Sequence, residues 1–143
     1  MNKDYQSAGF LIENANRVLL YLRDDSLTIP SPNKWAVMGG IVEQDETPLQ
    51  AVAREFFEEL ESIKTEELIK IHKSLTPFKV YEHLLKDGRH TQHVFKAETY
   101  LMVEDLKLNE GQAIRYFSKE DLRNRKFDLA ESSKKVLNDY FMI

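Results

Sequence analysis

Three glutamates in the middle of the chain have the types and spacing that could do chemistry. Glu55, Glu58 and Glu59 stand at i, i+3 and i+4, so in a helix they share one face. Like charges at this spacing destabilise an isolated helix by roughly 0.2–0.5 kcal/mol per pair. Because a hard divalent cation with oxygen ligands offsets this repulsion, the spacing predicts a metal site.

The segment around these glutamates is predicted to be a loop followed by a helix. Thr47, Pro48 and Gln50 supply an N-cap, a proline at the first helical position and a capping-box partner. The buried face is expected to consist of apolar residues at helical spacing: Leu49, Val52, Ala53, Phe56 and Leu60. Before the helix, Gly39 and Gly40 allow the backbone to approach a ligand without an intervening side chain.

This segment resembles the signature of the Nudix hydrolase family, G-x5-E-x7-R-E-U-x-E-E-x-G-U, where U is a bulky aliphatic residue. The matching residues are Gly40, Glu46, Arg54, Glu55, Phe56, Glu58 and Glu59. The preceding NKWAVMGGIVE is similar to the family's W-x-x-P-G-G-x-x-E approach, with Met38 where proline is common. Two positions depart from the signature, because Glu61 replaces its glycine and Ser62 replaces its last aliphatic residue.

The departure at Glu61 concerns the end of the helix. A glycine there would end the helix in a left-handed conformation. Glu61 is expected either to adopt that conformation, at a cost of roughly 1 kcal/mol, or to let the helix continue further. Neither outcome removes a predicted metal ligand.

The resemblance implies a metal-dependent hydrolase that acts on a nucleoside diphosphate linked to a moiety X. Its cofactor would be Mg²⁺ or Mn²⁺, held by the three signature glutamates and by a backbone carbonyl of the Gly40 region. Arg54 would pair with Glu46 and orient the cluster. Water would attack phosphorus in line, and no protein nucleophile is expected.

Two residues outside the signature are further candidates. Glu110 lies in an NEGQ loop, and some Nudix enzymes that clean oxidised nucleotides carry an acidic residue in a similar loop that faces the metal cluster. It is either a metal ligand or general base, or an ordinary loop carboxylate; Glu55 is the other candidate base. Arg23 ends a predicted strand and is either a surface arginine or a phosphate ligand that acts beside Gly39 and Gly40.

The signature does not identify the substrate. A nucleoside triphosphate or oxidised nucleotide is favoured; ADP-ribose, a nucleotide sugar, a dinucleoside polyphosphate and capped RNA are alternatives, since the signature serves all of them. A Nudix-fold module that binds a nucleotide without cleaving it, or a plain scaffold, would be a different class. The three intact glutamates argue against both.

Length, composition and charge limit the domain number, the partners and the location that can be expected. The 143 residues are predicted to form one domain, 1–143, and 42% hydrophobic with 31% charged residues is typical of a soluble globular protein. A net charge of −4 gives no basic field, so stable nucleic-acid binding is not expected and the partner is a small-molecule nucleotide. The lack of cysteine excludes disulfides and thiolate chemistry. Without a long apolar run or signal region, a cytoplasmic protein is expected, with no membrane partner; a homodimer remains open.

The remaining aromatic and histidine residues give weaker signals. His90 and His93 are three apart in a predicted strand and should point to opposite faces, which argues against a zinc site. Trp35 and most other aromatic residues are expected in the core. A nucleobase pocket that uses Tyr81 or Phe127 stays open.

The order of elements predicts an α/β fold. Strands are predicted at Ala8–Glu13, Val18–Leu22, Trp35–Met38, Leu75–Lys86, His90–Met102 and Ala113–Phe117. Residues 61–70 finish or follow the signature helix, residues 103–112 form an acidic loop, Ser118 caps a short helical turn, residues 123–126 make a basic connection, and Asp128–Phe141 is a terminal helix. This order predicts a mixed sheet with helices on both faces, and the resemblance implies the same α/β/α sandwich.

Overall fold

A mixed β-sheet forms the middle layer of the protein, whose computed structural model describes residues 3–124 and 127–143. In chain order the strands are β1 (Tyr5–Asn14), β2 (Arg17–Leu22), β3 (Trp35–Ala36), β4 (Met38–Ile41), β5 (Leu60–Glu61), β6 (Thr76–Leu85), β7 (Gly88–Glu98), β8 (Lys107–Leu108) and β9 (Ala113–Phe117). The sheet runs β3-β2-β1-β7-β6, with β4 also paired to β1 and β9 to β2. Strand β1 is parallel to β7 and antiparallel to β2 and β4, so the sheet is mixed.

Helices cover both faces of this sheet. They are α1 (Pro48–Glu59), α2 (Thr65–Lys73), α3 (Lys119–Arg123) and α4 (Glu131–Phe141). Successive residues of β1 point to opposite faces. Phe10 therefore packs in one core cluster with Val52 and Phe56 of α1, and Leu11 packs in a second cluster with α4. The predicted α/β/α sandwich is confirmed. Among the described residues, no helix is both long and apolar enough to cross a membrane.

Helix α1 begins as the sequence predicts. The Thr47 hydroxyl accepts a hydrogen bond from the Gln50 backbone at 3.2 Å, and the Gln50 side chain accepts one from the Thr47 backbone at 2.9 Å. The predicted buried face is wrong at Leu49, whose exposure is 54%. The helix is rotated so that Ala51 and Glu59 face the sheet instead. A carboxylate thus occupies a core position.

The end of α1 follows neither course expected for Glu61. Leu60 is extended, with φ −124° and ψ 137°, and the chain leaves the helix directly into β5. Strand β5 pairs with β8, where Glu61 lies opposite Lys107 at an N–O distance of 3.7 Å. Both expectations are wrong because tertiary strand pairing fixes an extended backbone that needs no glycine. Residues 103–112 are also not all loop, since they contain a 3₁₀ turn at Val103–Asp105 and strand β8.

Three further boundaries differ from the predictions. The strand predicted over 35–38 is two strands, because Val37 leaves the ladder and donates its backbone N–H to Ser133 Oγ at 3.0 Å. Strand β7 ends at Glu98. The terminal helix begins at Glu131, since Leu129 instead forms a parallel bridge with Trp35. The basic connection predicted over 123–126 lies partly outside the described residues.

Replacement of Gly39 by alanine should destabilise the fold. Gly39 has φ +152°, and a Cβ atom there would overlap the Ala8 carbonyl oxygen across the β1–β4 pair. The Ala8 carbonyl is part of the backbone and cannot move aside easily. We therefore expect Gly39→Ala to lower the free energy of unfolding in urea by at least about 2 kcal/mol. Gly88→Ala is the matched control, since Gly88 has no positive φ, and should cost less than about 1 kcal/mol. Equal stability of the two variants would contradict this reason for glycine at position 39.

Candidate active site

The buried face of α1 carries one of the signature carboxylates into the protein. Glu59 is only 1% exposed, whereas the Glu55 side chain is partly buried and that of Glu58 is half exposed. Among the described residues, no hydrogen-bond partner reaches Glu59 Oε2. A buried carboxylate oxygen without a partner costs free energy. The structure therefore contains a buried carboxylate oxygen that no protein group among the described residues satisfies.

The pKa of Glu59 reflects this environment. Burial raises it most, followed by the negative charges of Glu55, Glu110 and Glu58, and together they bring the pKa to about 9. Burial likewise raises the pKa of Glu55. Without a cation, Glu59 therefore holds a proton at neutral pH. A divalent cation would compete with that proton, as carboxylate metal ligands must be deprotonated.

Arg54 is the positively charged residue that contacts these glutamates. Its Nε and Nη2 donate to the two carboxylate oxygens of Glu46 at 2.7 and 2.8 Å, a bidentate pair. Nη2 also donates to the Ile41 carbonyl at 3.1 Å, and Nη1 donates to Glu55 at 2.9 Å. The Arg54 hydrogen bonds are the main reason that the pKa of Glu46 falls to about 2. Arg54 thus ties the loop before α1 to the helix and orients Glu55.

Gly40 leaves the space in which Glu55 lies. A Cβ atom at Gly40 would overlap the Glu55 carboxylate, so only glycine lets that carboxylate rest against the β4 backbone. Within residues 3–124 and 127–143, no three His, Asp or Glu side chains already close on one point as a metal cage. Instead Arg54 Nη1 lies between Glu55 and Glu58, at 3.3 Å from Glu58 Oε2. The unpartnered Glu59 oxygen and an all-oxygen donor set fit Mg²⁺ or Mn²⁺.

Glu110 lies near the glutamates of α1 because the residues beside it are fixed to the end of that helix and to β2. Asn109 donates its backbone N–H to the Glu59 carbonyl and its side chain to the Glu58 carbonyl, each at 2.9 Å. Gly111 has φ +87°, and a Cβ there would overlap the Leu22 carbonyl. The exposed Glu110 side chain lies close enough to raise the pKa of both Glu55 and Glu59. The structure therefore brings Glu110 to the acidic face of α1.

Arg23 is held at the mouth of an adjoining cavity. Its Nε donates to the Pro30 carbonyl at 2.8 Å and its Nη1 to the Tyr21 hydroxyl at 2.7 Å. Among the described residues, Nη2 has no recorded protein acceptor. The cavity measures about 640 Å³, and its wall includes Arg23, Gly39, Gly40 and Glu110. The guanidinium is therefore fixed in position with one nitrogen left for a ligand.

The sequence did not predict a binding role for the residues that line the opposite end of this cavity. They are Ser7 of β1 together with His90 and Gln92 of β7. Residues 89–93 are polar at every position, so alternation cannot show which side chains face inward. Only the pairing of β7 with β1 decides it.

Metal-free Glu59→Gln protein should become more stable relative to wild type as the pH rises. Between pH 4.5, the usual glutamate value, and about 9, the folded protein keeps a proton that the unfolded chain has lost. Wild-type stability therefore falls over this window, whereas glutamine does not titrate. In urea unfolding with EDTA, the variant should exceed wild type by more than about 1 kcal/mol at pH 8 and lose that advantage by pH 4.5. The exposed Glu58→Gln control should show a smaller change with pH. Parallel pH curves for Glu59→Gln and wild type would contradict the buried carboxylate.

The fold is similar to that of several solved structures. One is a bifunctional NMN adenylyltransferase/ADP ribose pyrophosphatase from Francisella tularensis, complexed with AMP and a Mn ion, with 20% identity and a TM-score of 0.75 over 99% of this chain and 42% of that chain. This chain thus spans less than half of that protein. Another is a MutT NUDIX hydrolase from Burkholderia pseudomallei, with 20% identity and a TM-score of 0.71 over 96% and 98% of the two chains. A MutT protein from Methanosarcina mazei Go1 has 23% identity and a TM-score of 0.68 over 99% and 92%.

These identities are low, so the likenesses show the fold alone. No curated protein matches the chain significantly. The family model of the NUDIX domain, in contrast, matches residues 4–140, nearly the whole chain. The match covers far more than half of the chain, so the chain belongs to the NUDIX family.

Proposed function

We propose that the chain, as a single domain over 1–143, is a Mg²⁺- or Mn²⁺-dependent hydrolase that cleaves the pyrophosphate linkage of a nucleoside triphosphate or oxidised nucleotide. NUDIX enzymes act on small nucleotide substrates and generally use a divalent metal. The observation that carries the proposal is Glu59, a buried carboxylate with an unpartnered oxygen beside Glu55, Glu58 and Glu110. A scaffold gains nothing from burying such a group, whereas a divalent cation would satisfy it.

The metal ligands in this proposal are the carboxylates of Glu55, Glu58 and Glu59 and a backbone carbonyl near Gly40. Glu110 is a further ligand, or the base. A bound ion would neutralise charge on the pyrophosphate and would supply Lewis-acid activation of the attacking water. Arg54 remains bidentate to Glu46 and so fixes the position of the ligand face of α1 relative to β4.

Proton transfer falls to one of two carboxylates. Glu55 is oriented by Arg54 at 2.9 Å, and burial raises its pKa, which improves it as a proton acceptor. Glu110 is exposed and projects from a loop that Asn109 ties to α1. Because Arg54 already neutralises part of the Glu55 charge, we propose Glu110 as the base and Glu55 as a ligand.

Phosphate binding is assigned to Arg23 and to the backbone at Gly39 and Gly40. The Tyr21 hydroxyl and the Pro30 carbonyl fix the guanidinium before substrate arrives, so little conformational entropy is lost on binding. Gly39 and Gly40 bring main chain to the same cavity wall. A polyanion can thus bind despite the protein's net charge of −4.

The alternative substrate is ADP-ribose. It is favoured by the likeness to the Francisella tularensis bifunctional enzyme, which includes an ADP ribose pyrophosphatase. Nucleotide sugars, dinucleoside polyphosphates and capped RNA remain within the same chemistry. A module that binds nucleotides without cleaving them would not need the full acidic cluster.

A panel assay tests the proposed function. Nucleoside triphosphates, 8-oxo nucleotides and ADP-ribose are incubated with Mg²⁺ or Mn²⁺, and released phosphate and pyrophosphate are measured. We expect turnover of at least one triphosphate, its complete loss in excess EDTA, and a loss of at least about 100-fold in Glu59→Gln. Glu104→Gln, on the exposed 3₁₀ turn outside the cavity, is the control and should stay active. Turnover in EDTA, or none with any substrate, would overturn the proposal.

The assignment of the base is tested at Glu110. Glu110→Gln keeps the shape of the side chain but cannot accept a proton, so kcat should fall by roughly 10²–10⁴-fold while KM and stability change little. Steady-state kinetics at saturating Mg²⁺ measure the effect, again with Glu104→Gln as the control. A kcat near that of wild type would transfer the role of base to Glu55.

A further inference from the structure

The end of the cavity away from Arg23 has a polar floor built by two neighbouring strands. The parallel register of β1 and β7 sets Ser7 beside Gln92 and Tyr5 beside His90, all on one face of the sheet. Ser7 Oγ lies 2.6 Å from His90 Nε2. His83 Nε2, on β6, lies 2.7 Å from Gln92 Oε1. Ser7, His90 and Gln92 all line the cavity.

These polar groups are buried, and one of them is not fully used. His90 is 8% exposed and Gln92 is 6% exposed. With its oxygen turned to His83, Gln92 has its amide nitrogen available, and among the described residues no acceptor is recorded for it. Buried polar side chains are normally hydrogen-bonded. A donor left over at a cavity wall is therefore suited to a ligand.

The floor is polar without being charged. Burial, and then the neighbouring His83, lower the pKa of His90 to about 4, so its imidazole is neutral at physiological pH. The Tyr5 ring stacks on His90 with centroids 4.4 Å apart and fixes its plane. An uncharged polar group suits this floor, whereas a phosphate would find no cation there.

Apolar side chains wall the same space. Ile29, Val37, Ile41 and Ala130 line the cavity around the polar floor. Two strand spacings, about 10 Å, separate β7 from the glycine strand β4 across β1. His90 and Gln92 of β7 therefore lie about 10 Å from the backbone to which phosphate binding is assigned, a separation that a nucleoside can span. The 640 Å³ volume lies in the usual range for small-molecule sites.

We propose that Gln92 and the Ser7–His90 pair recognise the edge of the heteroaromatic base of the substrate, with the Gln92 amide donating to an acceptor on that base. This inference rests on the proposed function in taking the substrate to be a nucleotide. Tyr81 and Phe127, the residues left open from the sequence, are placed elsewhere. Tyr81 is 2% exposed in the core beneath α4, and Phe127 packs against Phe117 at 4.7 Å.

Product binding tests this base site without requiring turnover. The affinities of adenosine, guanosine, cytidine and uridine 5′-monophosphates and of ribose 5-phosphate are measured by calorimetry. In wild type, we expect one base to be preferred by at least about tenfold and to bind at least tenfold more tightly than ribose 5-phosphate. Gln92→Leu should lose the preference while its affinity for ribose 5-phosphate stays unchanged.

A matched control comes from the other face of the sheet. Gln6 Oε1 lies 2.7 Å from His93 Nε2, the same kind of histidine–glutamine pair outside this cavity. Gln6→Leu should therefore keep the base preference of wild type. Ser7→Ala is a milder change than Gln92→Leu and should reduce the preference by several-fold. If a thermal melt shows that Gln92→Leu is not folded, the result for Ser7→Ala decides the question.

Two results would overturn the base site. One is a wild type that binds all four monophosphates no more tightly than ribose 5-phosphate. The other is a base preference that survives in folded Gln92→Leu, or in Ser7→Ala where that variant decides. Selective binding through Gln92 without hydrolysis of any nucleotide would uphold the base site and reject the hydrolase proposal. Hydrolysis without base preference would do the reverse.

Discussion

The burial of Glu59 against the glycine strand is the constraint on which the rest of the site depends. Helix α1 packs so closely on β4 that a side chain at Gly40 would overlap the Glu55 carboxylate. This closeness removes Glu59 from water and concentrates like charges, which raises its pKa to about 9. Protonation of Glu59 relieves part of this repulsion, and Arg54 opposes the rest through its hydrogen bonds to Glu55 and Glu58. The bidentate pair of Arg54 with Glu46 also ties the glycine loop to the helix.

The sequence predicted those features that local rules determine. The capping box of α1 forms because Thr47 and Gln50 are three residues apart, and no distant contact is needed. The three glutamates share a face for the same reason. Prediction was wrong where distant partners decide. Position 61 needed glycine only if the helix ended on its own, and pairing of β5 with β8 ends it instead. Likewise, Leu49 is exposed because the packed sheet rotates the buried face toward Ala51 and Glu59.

Residues at one end of the cavity were predicted from the sequence, whereas those at the other end were not. Arg23, Gly39 and Gly40 belong to or adjoin the signature, and the structure places them on one wall. Glu110 was left open, since nothing local connects its loop to α1. Two hydrogen bonds from Asn109 to the last carbonyls of the helix make that connection. Ser7 and Gln92 could not be found at all, because polar residues occupy both faces of β7 at this point and only the register selects one.

This division has a physical consequence for substrate choice. Under the proposed function, the charged end would bind a diphosphate, which all substrates of this chemistry share, so it would contribute affinity without discrimination. The neutral end offers few hydrogen-bonding groups, and each is held by a partner of its own: His90 by Ser7, and Gln92 by His83. A buried donor that loses its ligand acceptor keeps the full desolvation cost, so a mismatched group is penalised more than a matched one is rewarded. Under the proposed base site, selectivity would reside in strands β1 and β7, while the helix that bears the signature would serve catalysis.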